Sequence, residues 1–315
     1  MDKLSTILQF FGVAVLAMAV MEALALKFIA KRGYDWRASL ATLGVLVGRI
    51  LTEGIPIALA MPGAFWLYAH RGFEPEQYGA WSYLILFFGL EFVYYWWHRT
   101  SHRSRWFWVN HAVHHSPNEL NLSAAIRVGW TARLMATYVL FLPLVWIGFS
   151  PQVVFAAYGL NLAYQFWIHT EWIPRLGWLE GILNTPAAHR VHHASNLEYL
   201  DSNYGGVLVI FDRLFGTYRV ELDSISIRYG LVTPLHSYHP IKIALHQCLP
   251  LLRDVWTARS PREVMGYVFG PPGWKPDGSG MTTENLRRAA TLPRANLDQA
   301  DLDQTSLDQE AALKT

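Results

Sequence analysis

Apolar residues run almost unbroken over 4–27, 40–61 and 81–97, and again over 133–148 and 152–167, with polar punctuation between the runs. Runs of this length and composition predict helices that cross a bilayer. The first is too long for a signal-peptide core and has neither a basic leader nor a persuasive small-residue cleavage site. The second holds Arg49 and Glu53 four residues apart, which predicts an ion pair on one helix face, since a lone charge in hydrocarbon is costly. The third ends in Tyr94, Tyr95, Trp96 and Trp97, an aromatic belt suited to an interface. Phe149, Ser150 and Pro151 separate the last two and predict a tight helical hairpin, because proline breaks the helix. Both arms are short against the roughly 20 residues of a full span, so re-entry is an alternative to crossing.

After the fifth run the pattern shortens. Residues 207–215 are apolar around Asp212 and Arg213, and 241–256 are amphipathic, which predicts short interfacial helices. Beyond the PPGWKPDGSG stretch the chain turns polar, and Leu292, Leu297, Leu302 and Leu307 recur every five residues, as in pentapeptide repeats. So few units do not stack into a solenoid core, so a flexible or weakly helical tail is expected. The expected organisation is one membrane-embedded domain over 1–278 and a polar tail over 279–315. The expected fold is all-α: a multi-pass transmembrane bundle of four or five spans with a cytoplasmic helical cap.

Composition narrows the partners. Of 315 residues 52% are apolar and only 16% charged, and a net charge of +2 with no basic array argues against nucleic acid. The single cysteine, Cys248, excludes internal disulfides and an all-cysteine iron–sulfur cluster held by this chain alone, so electrons for any redox chemistry come from elsewhere. Lys27, Lys31, Arg32 and Arg37 follow the first run, and Arg99, Arg103, Arg105, Arg127 and Arg133 lie around 98–133. By the positive-inside rule both groups are cytoplasmic and the N-terminus is outside.

The chemistry sits in the histidines. Five of thirteen fall between 98 and 115, as His98 and His102, then His111, His114 and His115; His189, His192 and His193 repeat the second wording. Residues three and four apart share a helix face, so each group is expected to aim its imidazoles at one point, and two matching triads predict two metals. Eight are too many for one zinc, but suit two metals that each keep an open position. Thr185 and Pro186 predict the start of the later helix, and Ser116 with Pro117 the stop of the earlier one. Two crossings lie between the triads, which returns both to one side. His70, His236, His239 and His246 read as ordinary core or surface histidines.

The words HRTSH, NHAVHHSPNELNLSAAIR, YQFWIHTE, LNTPAAHRVHHASN and DSNYGGVLVIFDRLFGTY resemble the fatty acid hydroxylase superfamily, which includes sterol desaturases, over about 84–218. The wording is most similar to the alkylglycerol-monooxygenase branch. The resemblance implies a di-iron membrane oxygenase that hydroxylates or desaturates a lipid with O2, the lipid being a sterol, fatty acyl chain, ether lipid or aminolipid. It implies an external electron donor, with reduced pterin, ferredoxin and a cytochrome all open, and adds His169 to the ligands. Glu91, seven residues before His98 on the same helical face, is expected either to orient an imidazole or to pair with an arginine. With Asn121 and Arg127, which match the family's wording, it completes the candidate catalytic set. Glu171, Asp201, Asn203 and Tyr204 match too, with structural or solvated roles expected for most. The chain departs from the branch at Arg103, where an acidic residue is usual. Two other readings are a catalytically inactive lipid-binding homologue and a histidine-rich metal transporter; the full histidine set argues against the first, its position beyond the run ends against the second.

Overall fold

The computed structural model describes residues 3–31, 33–132 and 134–291, without the side chains of 3–11, 53–60 and 76. Arg32, Arg133, the expected Arg49–Glu53 pair and the leucine repeat from 292 onward lie outside the described residues. Helices carry the fold, and among the described residues there is no strand, only isolated bridges such as Leu183 with Leu208. Among the described residues no helix is long and apolar enough to cross a membrane.

The first runs become α1 (Lys3–Phe28), α2 (Trp36–Ala69) and α3 (Trp81–Arg103). Asp35 caps α2 by accepting from the Ala38 N–H, satisfying one of the donors a helix start leaves open. On α3 the buried residues Leu86, Leu90, Tyr94, Trp97, His98, Ser101 and His102 recur at helical spacing, so the face that packs the core runs straight into the first histidines. That stripe meets Phe141, Leu144, Val145, Phe149 and Val154 in the main core.

The expected helical hairpin is half there. Its second arm is α7 (Pro151–Trp167), opened by Ser150 as N-cap and Pro151 at the first position. Its first arm is broken into a 3-10 turn over Thr137–Phe141 and the short α6 (Leu142–Trp146). Ala136 sits in the left-handed region at φ 55°, and Pro143 follows, so no continuous helix spans 133–148.

Around the site lie α4 (Arg105–His114), α5 (Leu122–Ala125), α8 (Pro186–His192) and α9 (Ile210–Leu214). Downstream come α10 (Pro240–Leu245), α11 (Cys248–Thr257) and α12 (Pro261–Phe269). The polar segment from 279 begins with a helix. This is α13 (Thr283–Thr291), where Glu284 pairs with Arg103 and Arg287 donates to the Leu200 carbonyl at 2.7 Å. Arginines counted toward membrane orientation have intramolecular work: Arg105 pairs with Asp254 at 2.7 Å and Arg103 with Asp201 at 2.8 Å.

Candidate metal centre

Nine histidines from four segments meet in two groups. One holds His98, His102, His111, His115 and His192; the other holds His114, His169, His189 and His193; all are buried except the half-buried His114. The groups touch, the His115 and His193 rings stacking with centroids 4.4 Å apart. The lone histidines His70, His236, His239 and His246 belong to neither.

The expectation that each triad aims at one point is corrected here. His111 and His115 serve the five-histidine group while His114 between them serves the other; His189 and His193 serve the four-histidine group while His192 crosses over. Helix geometry explains it. Residues four apart are displaced by only about 40° around the axis, whereas neighbours such as 114 and 115 diverge by about 100°. One H-x-x-H-H turn therefore straddles two centres.

Local structure holds these turns. Thr185 caps α8 by accepting from the Ala188 N–H, with Pro186 at the first position, as expected. Arg190, between the two histidine rows, grips Glu221 through two bonds of 2.9 and 2.6 Å and donates to the Ile173 carbonyl at 2.7 Å. That ties α8 to the segment carrying His169. Glu22 of α1 accepts from the Thr170 hydroxyl at 2.8 Å beside the same histidine.

The outer ring nitrogens define what the inner ones can do. Nδ1 of His98, His192, His114 and His169 faces the carbonyls of Tyr204 (2.8 Å), Ser202 (3.0 Å), Arg127 (3.3 Å) and Gln165 (2.7 Å). A carbonyl only accepts, so each of these Nδ1 atoms carries the proton and Nε2 presents a lone pair. Yet Nε2 of His114 and Nε2 of His169 lie 3.2 Å apart, two lone pairs face to face. Burial pushes the pKa of His169 well below its ordinary value and that of His114 down to about 4, so a proton does not bridge them at neutral pH. A cation held between them would satisfy both lone pairs. The other Nε2 atoms of the group are as close, His169 to His189 at 2.9 Å and His189 to His193 at 3.1 Å. In the other group His98 to His111, His111 to His115 and His115 to His192 measure 2.9, 3.2 and 3.1 Å. Two nitrogens each about 2.1 Å from one metal are about 3.0 Å apart at a right angle and about 3.4 Å at a tetrahedral one. Neighbouring nitrogens at these spacings could share one ion, and five donors exceed a closed tetrahedral zinc site. The residues present fit two metal ions.

The three candidate catalytic residues are placed otherwise. Glu91 touches neither an imidazole nor an arginine, which corrects both expectations. Its carboxylate accepts from the backbone N–H groups of Val207 (2.9 Å) and Leu208 (2.7 Å) and from Asn161. Asn161 accepts from Gln165, which accepts from Tyr94 at 2.9 Å and whose carbonyl holds His169. Gly206 makes room: a Cβ there would come within 2.4 Å of Asn161. Asn121 caps α5 by accepting from Ser123, away from both groups. Arg127 donates to Thr42 (2.8 Å) and the Ala38 carbonyl (2.7 Å), clamping α2, and reaches the site only through its own carbonyl on His114. Burial lowers its pKa to about 10, still charged at neutrality.

Sequence reasoning passed over Asn161, Gln165 and Glu22, polar residues on apolar runs, and gave Asp212 inside 207–215 no role in the site. A polar side chain on an otherwise apolar helix was the signal available for each. Asp212 is fully buried, accepts from the N–H groups of Tyr204 (2.7 Å) and Gly205 (2.8 Å), and is pushed up to about 6 by burial.

Two cavities reach the histidines. One, about 320 Å³, is lined by His111, His114 and His169 and by apolar groups including Leu46, Trp97, Leu162 and Phe166. The other, about 260 Å³, is lined by His102, His115 and His192 with Asp201, Thr233 and Gln247.

Fold and site together define a class: an all-helical protein with two abutting histidine clusters beside an apolar cavity. Residues 83–217 match the fatty acid hydroxylase family, so this stretch of the chain is similar to it. It is 40% identical over 208 residues to human alkylglycerol monooxygenase, covering 66% of this chain and 46% of the other. It is 38% identical over 197 residues to alkylglycerol monooxygenase of Xenopus tropicalis, covering 62% and 43%. To ornithine lipid hydroxylase OlsE of Rhizobium tropici it is 32% identical over 179 residues, covering 56% and 53%. The chain spans about half the length of the curated relatives it matches. No solved structure matches it.

Proposed function

We propose that this chain is a membrane-embedded oxygenase that hydroxylates a C–H bond of a lipid with O2, using two iron ions held by the nine histidines. The observation that carries the reading is the opening of both histidine groups onto one apolar cavity, through His111 on one side and His114 and His169 on the other. The iron pair would supply the means to reduce O2 and oxidise the C–H bond. The balance is R–H, O2, two electrons and two protons giving R–OH and water. The two electrons are assigned to a separate donor: a reduced pterin, a ferredoxin or a cytochrome.

The protein's part is to hold the metals through neutral imidazoles, to exclude water with Trp97, Phe166 and Leu162, and to seat an alkyl chain beside His111 and His114. The names of the relatives favour an ether lipid or an aminolipid over a sterol. A membrane setting is supported by exposed large apolar side chains on the long helices, among them Val13, Val20 and Met21 on α1, Leu40, Val47 and Ile50 on α2, and Leu84, Ile85 and Phe88 on α3. By the same reading the histidine site is cytoplasmic and residues 1–278 are the catalytic domain.

The test is a comparison of lipid extracts from cells with and without the protein, under isotopically labelled O2. A lipid that gains one labelled oxygen atom, and fails to do so with His111→Ala, is the expected result. An unchanged lipid profile contradicts the proposal, and a lipid that loses two hydrogens without gaining oxygen reassigns it as a desaturase.

A further inference from the structure

The two groups of histidines are not held in the same way. In the five-histidine group, three outer nitrogens face a single loop: Tyr204 supplies its carbonyl to His98, Ser202 its carbonyl to His192, and Asp201 places a carboxylate oxygen 3.7 Å from Nδ1 of His102. No histidine of the other group is bonded to this loop. There, His114 and His169 lean on Arg127 and on Gln165 of α7, and Nδ1 of His189 has no partner.

The loop's shape is unusual and tightly fixed. Asp201 and Asn203 both lie in the left-handed region, each at φ 56°, which turns successive acceptors toward one side. Asn203, fully buried, donates through Nδ2 to the carbonyls of Ala188 (3.0 Å) and Arg219 (2.8 Å) and accepts from the Arg219 N–H at 2.8 Å. Asp212 grips the next two N–H groups. Asp201 is itself held by Arg103, the residue that stands where the branch has an acid. A carboxylate thus faces His102 from another part of the chain.

We propose that Asn203 is a positioning residue chiefly for the five-histidine centre: it sets the 201–204 loop that orients His98, His102 and His192, and its one tie toward the other centre is the Ala188 carbonyl beside His189. This rests on reading the two groups as metal centres. Partners of this kind set ring orientation and ligand basicity, and their loss typically weakens metal binding roughly 10- to 100-fold.

The experiment uses the full-length, detergent-solubilised protein loaded with labelled iron, the wild type beside Asn203→Gly. Glycine keeps the left-handed backbone and removes only the clamp. The expected result is a fall in bound iron from two to about one per chain after dialysis, with one of two Mössbauer signals lost and the other unmoved. Asp201→Asn, which leaves the clamp intact, is expected to weaken the same signal by roughly 10-fold in binding and serves if the glycine variant does not fold. Loss of both signals together, or of neither in a folded variant, overturns the proposal. A wild type that binds no metal overturns the underlying reading first, and this inference with it, before any variant is made.

Discussion

The two histidine groups are built from the same words yet rest on different foundations. The five-histidine group depends on an irregular loop whose acceptors come from 201, 202 and 204. The four-histidine group depends mostly on helices, with His169 two residues past the end of α7, His189 in the middle of α8 and His193 at its C-cap. The difference teaches that a repeated motif does not mean a repeated site. Each H-x-x-H-H turn gives two rings to one centre and one to the other, so the motif's job is to lock the centres together.

The largest effect that sharpens this comparison is the loss of a histidine. His111→Ala is expected to abolish turnover and empty the five-histidine centre, and His189→Ala to abolish turnover and empty the other. Metal analysis with an activity assay on each separates them. A variant that keeps full turnover would break the account.

Acid should act next, on the metal-free protein. Burial, and then the charge of neighbouring imidazoles, lowers the pKa of His98, His111, His115, His189, His192 and His193; burial lowers His169 and brings His114 to about 4. Against an ordinary value of 6.5, the unfolded chain takes up protons before the folded one does. Stability is therefore complete above about pH 6.5 and falls as pH drops toward about 4, so it rises with pH across that window. Melting curves of metal-free protein at stepped pH check the sign; a melting temperature that rises on acidification contradicts it.

Smaller again is Gly206→Val, whose side chain would meet Asn161 and push it from Glu91. Overpacking of this kind costs about 1–3 kcal/mol, readable as a lower melting temperature. The smallest change is Thr185→Ala, which removes the cap of α8 at a cost of about 1 kcal/mol. Because α8 feeds both groups, this variant should weaken both metals alike, unlike Asn203→Gly.

How much of this was legible in the chain follows from how local each signal is. The spacing of His98 with His102, and of the two triads, is a local pattern, and all nine candidate histidines do converge in the structure. Thr185 and Pro186 announced their helix for the same reason. What could not be read was the allotment of rings between centres, which depends on how α3, α4, α7 and α8 meet. The 201–204 loop has no period to detect, and its left-handed residues are an aspartate and an asparagine rather than glycines. Glu91 was readable as a buried acid but not as the clamp of a backbone more than a hundred residues away. The break at Ala136 carries no sequence mark at all.

The central claim is that two adjoining metal ions sit among these histidines. Elemental analysis of the purified, detergent-solubilised protein, with Mössbauer spectroscopy of iron-loaded material, tests it most directly. The account predicts about two irons per chain in an exchange-coupled pair. Stoichiometric zinc that survives iron loading, with no coupled iron pair, would contradict it.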